Sequence, residues 1–181
     1  MLLGGRPLGR RTEQHDVFAG IAETPKDLVS AIKASWPEAA GNLHVDAWRM
    51  VQYVDGYRVE VLPRVPGEKE NHQVVVLWFV NLGGYAAGIF EEFHQKILVV
   101  AENRDAAVQK AKRHPFFKQF HISGGGAAHV DDKWAFDVDE VENLEFLLPS
   151  DMRQAWKIHL IPAPGGIEDD VHLGYFRLHA F

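Results

Sequence analysis

The clearest pattern in the chain is the apolar run Val74-Val75-Val76-Leu77-Trp78-Phe79-Val80, followed by Asn81 and Leu82-Gly83-Gly84. A short run rich in β-branched and aromatic residues predicts a buried strand. It is far too short to cross a bilayer. From Phe93 to Ala101 the residues alternate, with apolar positions on both faces toward the end, which predicts a central strand. A helix follows: Asn103 caps it, Ala107, Val108 and Ala111 face inward, and His114-Pro115 stops it.

The beginning of the chain has the same layout. Glu13 to Ala22 predicts a strand. Thr24, Pro25 and Asp27 then open a helix that carries Leu28, Ala31, Ile32 and Ser35 and ends at Trp36-Pro37. Asp55-Gly56 between Val51–Val54 and Tyr57–Val61 predicts a tight hairpin. Further strands are predicted over Trp134–Val141, Leu144–Leu148, Trp156–Ile161 and from Val171 to the end.

The likeness extends to individual residues. Leu3-Gly4-Gly5, Gly9, Glu13 and His15 recur as Leu82-Gly83-Gly84, Gly88, Glu92 and His94, each shifted by 79. A second phrase, His44-Val45-Asp46, recurs as His129-Val130-Asp131 at a shift of 85. We read a tandem duplication of a strand-strand-helix-strand-strand module. The expected fold class is α+β, with a mainly antiparallel sheet, helices on one face and a pseudo-twofold relation. The first module covers residues 1–71. The second covers 72–181, with a longer loop after Pro115 and the C-terminal strands, and the two are expected to share a core. The glycine phrases read as loops. Only Met1 and Leu2 precede the first of them, so Val171–Leu178 is a candidate to supply the missing first strand.

Composition narrows the function classes. The chain has 181 residues, 46% hydrophobic and 24% charged, which is ordinary for a globular domain. A net charge of −6 gives no overall footprint for nucleic acid. There is no signal-peptide core and no cysteine, which excludes disulfides, thiolate ligands and a cysteine nucleophile. A cytoplasmic protein, with neither a nucleic-acid nor a membrane partner, is expected. Ten histidines make the placement of imidazoles informative.

The repeated polar residues are the candidate site: Glu13, His15, His44 and Asp46, matched by Glu92, His94, His129 and Asp131. Glu13 and His15, two apart, leave the same face of a strand. Glu-x-His beside His-x-Asp suits a base with its orienting carboxylate, or a divalent metal held through His15, His44, His94 and His129. The bland alternative is that these groups pair with each other and fix the glycine loops. Gly4, Gly5, Arg6 and Arg10 form a second candidate, an anion-binding loop made of backbone amides and guanidinium groups. In the second copy Tyr85 and Ile89 stand where the first has Arg6 and Arg10, so the first copy is the better candidate for activity.

At Leu3-Gly4-Gly5, Glu13-Gln14-His15-Asp16, His44-Val45-Asp46-Ala47-Trp48, Asp55-Gly56-Tyr57 and His172-Leu173-Gly174-Tyr175 the chain resembles a small bacterial family classified only as a domain of unknown function, the one numbered 1543. The resemblance implies a cytoplasmic bacterial protein with a tandem domain, and no particular activity. Two functional expectations stand. One is a small-molecule or divalent-metal binding protein, hydrolase-like or isomerase-like if an enzyme. The other is a noncatalytic structural or interaction protein, a homodimer, whose histidines and glutamates stabilise the modules.

Overall fold

The computed structural model describes residues 1–39, 41–67, 73–86, 88–116, 136–167 and 169–181. Ten strands in three antiparallel sheets dominate the described residues. The contacts divide the chain into two compact units, one of Met1–Lys69 with Glu145–Phe181 and one of Glu70–Leu144.

The first unit holds two of the sheets. One has the order β10-β3-β1-β2, from β1 (Leu2–Gly5), β2 (Gln14–Val17), β3 (His44–Trp48) and β10 (His172–Arg177). Side chains alternate across a strand. Leu3 and Val45 therefore enter the core, with Phe18, Leu28, Ile32 and Leu178, while Gly4, His44 and Asp46 take the other face. Helix α1 (Val29–Ser35) contributes Ile32 to that core. The turn before it is held by the Asp27 carboxylate, which accepts bonds from the Thr24 amide at 3.0 Å and the Thr24 hydroxyl at 2.6 Å.

The unit's other sheet joins β4 (Tyr53–Val54), β5 (Tyr57–Pro63) and β9 (Trp156–Pro162). Asp55 and Gly56 both have positive φ, 54° and 81°, as the expected two-residue hairpin turn requires. Helix α3 (Ser150–Ala155) leads into β9. Nearby, the Arg64 guanidinium donates to Glu145 at 2.7 Å, and Glu145 also accepts from the Ile158 amide at 2.6 Å.

The second unit has one sheet, ordered β7-β6-β8, from β6 (Val76–Tyr85), β7 (Glu92–Ala101) and β8 (Phe136–Asn143). Val80, Leu82, Val99 and Val141 form its core with Ala107 and Ala111 of helix α2 (Arg104–Ala111). The Asn103 side chain accepts from the Ala106 amide at 2.9 Å, as the cap reading anticipates.

Four features differ from the sequence reading. First, the expected α+β class with helices on one face is corrected to a mainly β fold. Among the described residues the α-helices have 7, 8 and 6 residues, too short to build a layer against three sheets. Second, the stretch from Glu145 onward packs in the first unit, because β9 pairs along all of β5 and β10 pairs with β3. Third, Gly4-Gly5 and Gly83-Gly84 lie within strands rather than loops. The C-terminal strand also does not replace a missing strand before Gly4: it extends the sheet beyond β3. The second module's long loop after Pro115 falls largely outside the described residues.

Candidate functional site

The site of the first unit is organised by Gly4. It sits on the middle strand, opposite His15 on one neighbour and His44 on the other. A Cβ at residue 4 would collide with the His44 ring and the Asp46 carboxylate, so only glycine lets these side chains converge over β1. Glu13, just before β2, reaches the same place.

The four side chains meet closely. His44 Nε2 lies 3.2 Å from Glu13 Oε1 and 3.2 Å from Asp46 Oδ1. His15 Nε2 lies 3.2 Å from Asp46 Oδ2 and 3.9 Å from Glu13 Oε2. Yet His44 Nε2 and Asp46 Oδ2, both shielded from solvent, have no hydrogen-bond partner among the described residues. Each imidazole nitrogen thus faces one oxygen of each carboxylate. His44 Nδ1 lies 3.0 Å from the Asn42 carbonyl. It must donate there, since a carbonyl can only accept, and Nε2 is left facing the two carboxylates, as a lone pair when the ring is neutral and as a second N–H when it is protonated. That lone pair faces negative charge unless something positive lies between them.

Burial is graded across the cluster. The His44 side chain is 4% exposed, Asp46 26%, His15 45% and Glu13 48%. One side is closed and the other open. The Tyr175 ring packs on the His44 ring at 4.2 Å, although Tyr175 is itself exposed. It reaches that position because the β3–β10 register shifts between Leu173 and Phe176. Such a bulge re-aims a side chain.

The second unit repeats the motif with Asp139 in it. His94 Nε2 lies 3.2 Å from Asp139 Oδ2 and 3.9 Å from Glu92 Oε2, matching the distances around His15. Single atoms of Glu92, His94 and Asp139 lie within 4.8 Å of one another, and all three residues are exposed. Gly83 pairs with His94 on one side and with Asp137 on the other, as Gly4 pairs with His15 and His44. By register the counterpart of His44-Val45-Asp46 is thus Asp137-Val138-Asp139. His129 and Asp131, expected to fill that role, lie outside the described residues. The second unit has aspartate where the first has its buried imidazole.

The sequence reading missed Asp139, Asn42 and Tyr175. The alternation Asp137-Val138-Asp139 matches that of His44-Val45-Asp46 and could have found the first. The roles of Asn42 and Tyr175 depend on tertiary contacts and leave no local signal. The glycine–arginine loop is not a ring of free amides. Gly4 and Gly5 belong to the strand, the Arg6 amide donates to Asn42 Oδ1 at 2.6 Å, and the Asn42 side-chain amide donates back to the Arg6 carbonyl at 2.9 Å.

Fold and cluster together define a mainly β protein whose first unit gathers two imidazoles and two carboxylates over a glycine. Residues 10–61 match the family described as Domain of Unknown Function (DUF1543), so the resemblance drawn from sequence is shown over that stretch, which contains all four clustered residues. The crystal structure of a protein Il1583 from Idiomarina loihiensis is similar in fold, with a TM-score of 0.57 and 20% identity, covering 98% of this chain and 94% of that one. No curated protein matches the chain. Among the described residues no helix is long and apolar enough to cross a membrane.

Proposed function

We propose that the protein binds a divalent transition-metal ion in its first unit, through Glu13, His15, His44 and Asp46. The observation that carries this reading is the buried, unpartnered Nε2 of His44 aimed at two carboxylates, with its tautomer set by the Asn42 carbonyl. A metal-bound histidine has this arrangement, with the remote nitrogen free to coordinate and the other anchored by an acceptor.

The spacings support the same reading. Ligand atoms about 2.1 Å from a common ion lie roughly 3.0–3.5 Å from each other. Three of the four imidazole–carboxylate separations are 3.2 Å. Mixed imidazole and carboxylate donors suit zinc, iron, manganese, cobalt or nickel better than calcium. Two carboxylates balance the charge of a divalent ion. The open side leaves room for an exogenous ligand, the condition for Lewis-acid chemistry on a small molecule. A hydrolytic or isomerising enzyme fits this arrangement.

Metal analysis of tag-free protein purified without chelator tests the reading. About one equivalent of metal is expected in the wild type, and none in the first unit of His44→Ala. Because His44 is buried, Glu13→Gln serves as the companion variant: it removes an exposed ligand without touching the core. Wild-type protein that takes up no zinc, manganese or nickel when dialysed against each would overturn the proposal.

A further inference from the structure

We infer that Arg6 makes the first site selective for a small oxyanion, a phosphate or carboxylate group held between the Arg6 guanidinium and the open side of the metal. This rests on the metal reading above and adds the class of ligand to it.

Arg6 is two residues beyond Gly4, so it shares the strand face over which the cluster is built. Asn42 bonds both the Arg6 amide and the Arg6 carbonyl. The β1–β2 ladder ends at Gly5↔Gln14, and one further step of the same register would set Arg6 opposite Glu13. In the second unit that step is formed: Tyr85 pairs with Glu92, the counterpart of Glu13. The Tyr85 hydroxyl bonds the Glu92 carboxylate and senses the charge of Asp139. In the second unit the side chain at this position therefore lies beside the Glu92 carboxylate.

What stands there differs in a chemically specific way. In the second unit a neutral phenol closes on the carboxylate. In the first, Arg6 is exposed, and no ion-pair partner for it appears among the described residues. A divalent ion neutralised by Glu13 and Asp46 leaves the site with the single positive charge of Arg6. An oxyanion satisfies both needs, with one oxygen on the metal and others on the guanidinium fork. Arg10 and Arg11, in the same exposed loop, reinforce the attraction at longer range.

Calorimetric titration of the zinc-loaded full chain with inorganic phosphate, and separately with acetate, tests the inference. Wild type is expected to bind one equivalent of at least one of these anions. Arg6→Gln and Arg6→Tyr should weaken that binding about tenfold or more, and Arg6→Lys should recover part of it. The stronger of the two anions identifies the group selected. Zinc content is measured on the same samples. Fully zinc-loaded variants that bind both anions as wild type does would overturn the role of Arg6 and leave the metal reading standing. Zinc-loaded wild type that binds neither anion would do the same. Wild type without zinc would overturn both.

Discussion

The two units place the same glutamate, histidine and aspartate around the same glycine, and then diverge at two positions. The first unit adds a buried imidazole, His44, and leaves an exposed arginine, Arg6, above the cluster. The second has Asp137 in the register position of His44, and Tyr85 in that of Arg6. The shared part shows what the duplicated strands specify: convergence over a glycine, reproduced to the same 3.2 and 3.9 Å separations. The divergent part shows what makes convergence chemically useful. Exposed carboxylates around one histidine are satisfied by water at little cost. A buried imidazole nitrogen between two carboxylates needs positive charge there, from a proton or from a metal ion.

The sharpest way to break this comparison is to fill the space above each glycine. Gly4→Ala would push a methyl group into both the His44 ring and the Asp46 carboxylate, and Asp46 and His44 have little freedom to retreat. The expected result is loss of stoichiometric metal from the first unit, with ligand geometry displaced by about an ångström. Gly83→Ala meets the Asp139 carboxylate and no buried imidazole among the described residues. Metal content measured on the two variants should fall in the first and stay at the wild-type level in the second. Equal retention in both would mean that the glycine does not shape the first site.

A smaller effect concerns stability. A ligand that binds only the folded state stabilises it by about 2.7 kcal/mol at a free concentration 100 times its dissociation constant. Zinc should therefore raise hydrogen-exchange protection of β1, β2 and β3 in the first unit. The strands β6 and β7 of the second should change far less. Protection gained equally in both units would show that the buried imidazole is not what separates them.

This division of the chain was only partly legible in the sequence. Period-2 spacing was enough to put Glu13 and His15 on one face, and the repetition of the glycine phrase pointed to the strand that organises the site. The hairpin at Asp55-Gly56 and the cap at Asn103 are local and were readable. His129-Val130-Asp131, the phrase assigned to the second site, lies outside the described residues. Identity over three letters says nothing about register, whereas the β6–β8 ladder fixes Gly83 opposite Asp137 and so selects Asp139. The same limit applies to β9 and β10. Their partners lie about a hundred residues earlier, and nothing in a strand's own pattern names the strand it will join. The helices were placed well but overweighted. Good capping signals mark where a helix begins, not how much of the fold it will carry. Asp169 shows the same blindness to distant partners: it reads as part of a solvated acidic run, yet it accepts the amides of Gln52 at 2.7 Å and Tyr53 at 3.1 Å.

The smallest effect sharpens the contrast at the position above the cluster. Tyr85 titrates above the usual 10.0, chiefly because its hydroxyl bonds Glu92, with desolvation and the charges of Glu92 and Asp139 adding to the rise. Absorbance titration of the phenol near 295 nm should show this raised value in the wild type. It should fall toward 10.0 in Glu92→Gln, which replaces the carboxylate acceptor and removes its charge, and fall less in Asp139→Asn. The sign for stability follows from linkage. A phenol held protonated in the folded chain contributes stability below its unfolded value, and that contribution is lost as pH rises through the folded value. Glu92→Gln should therefore flatten the alkaline limb of the stability profile. The matching substitution in the first unit, Glu13→Gln, has no phenol to release and should leave that limb unchanged. A Tyr85 titration indifferent to Glu92 would mean that the side chain stands away from the cluster, and the inference of Arg6's place from its counterpart would lose its support.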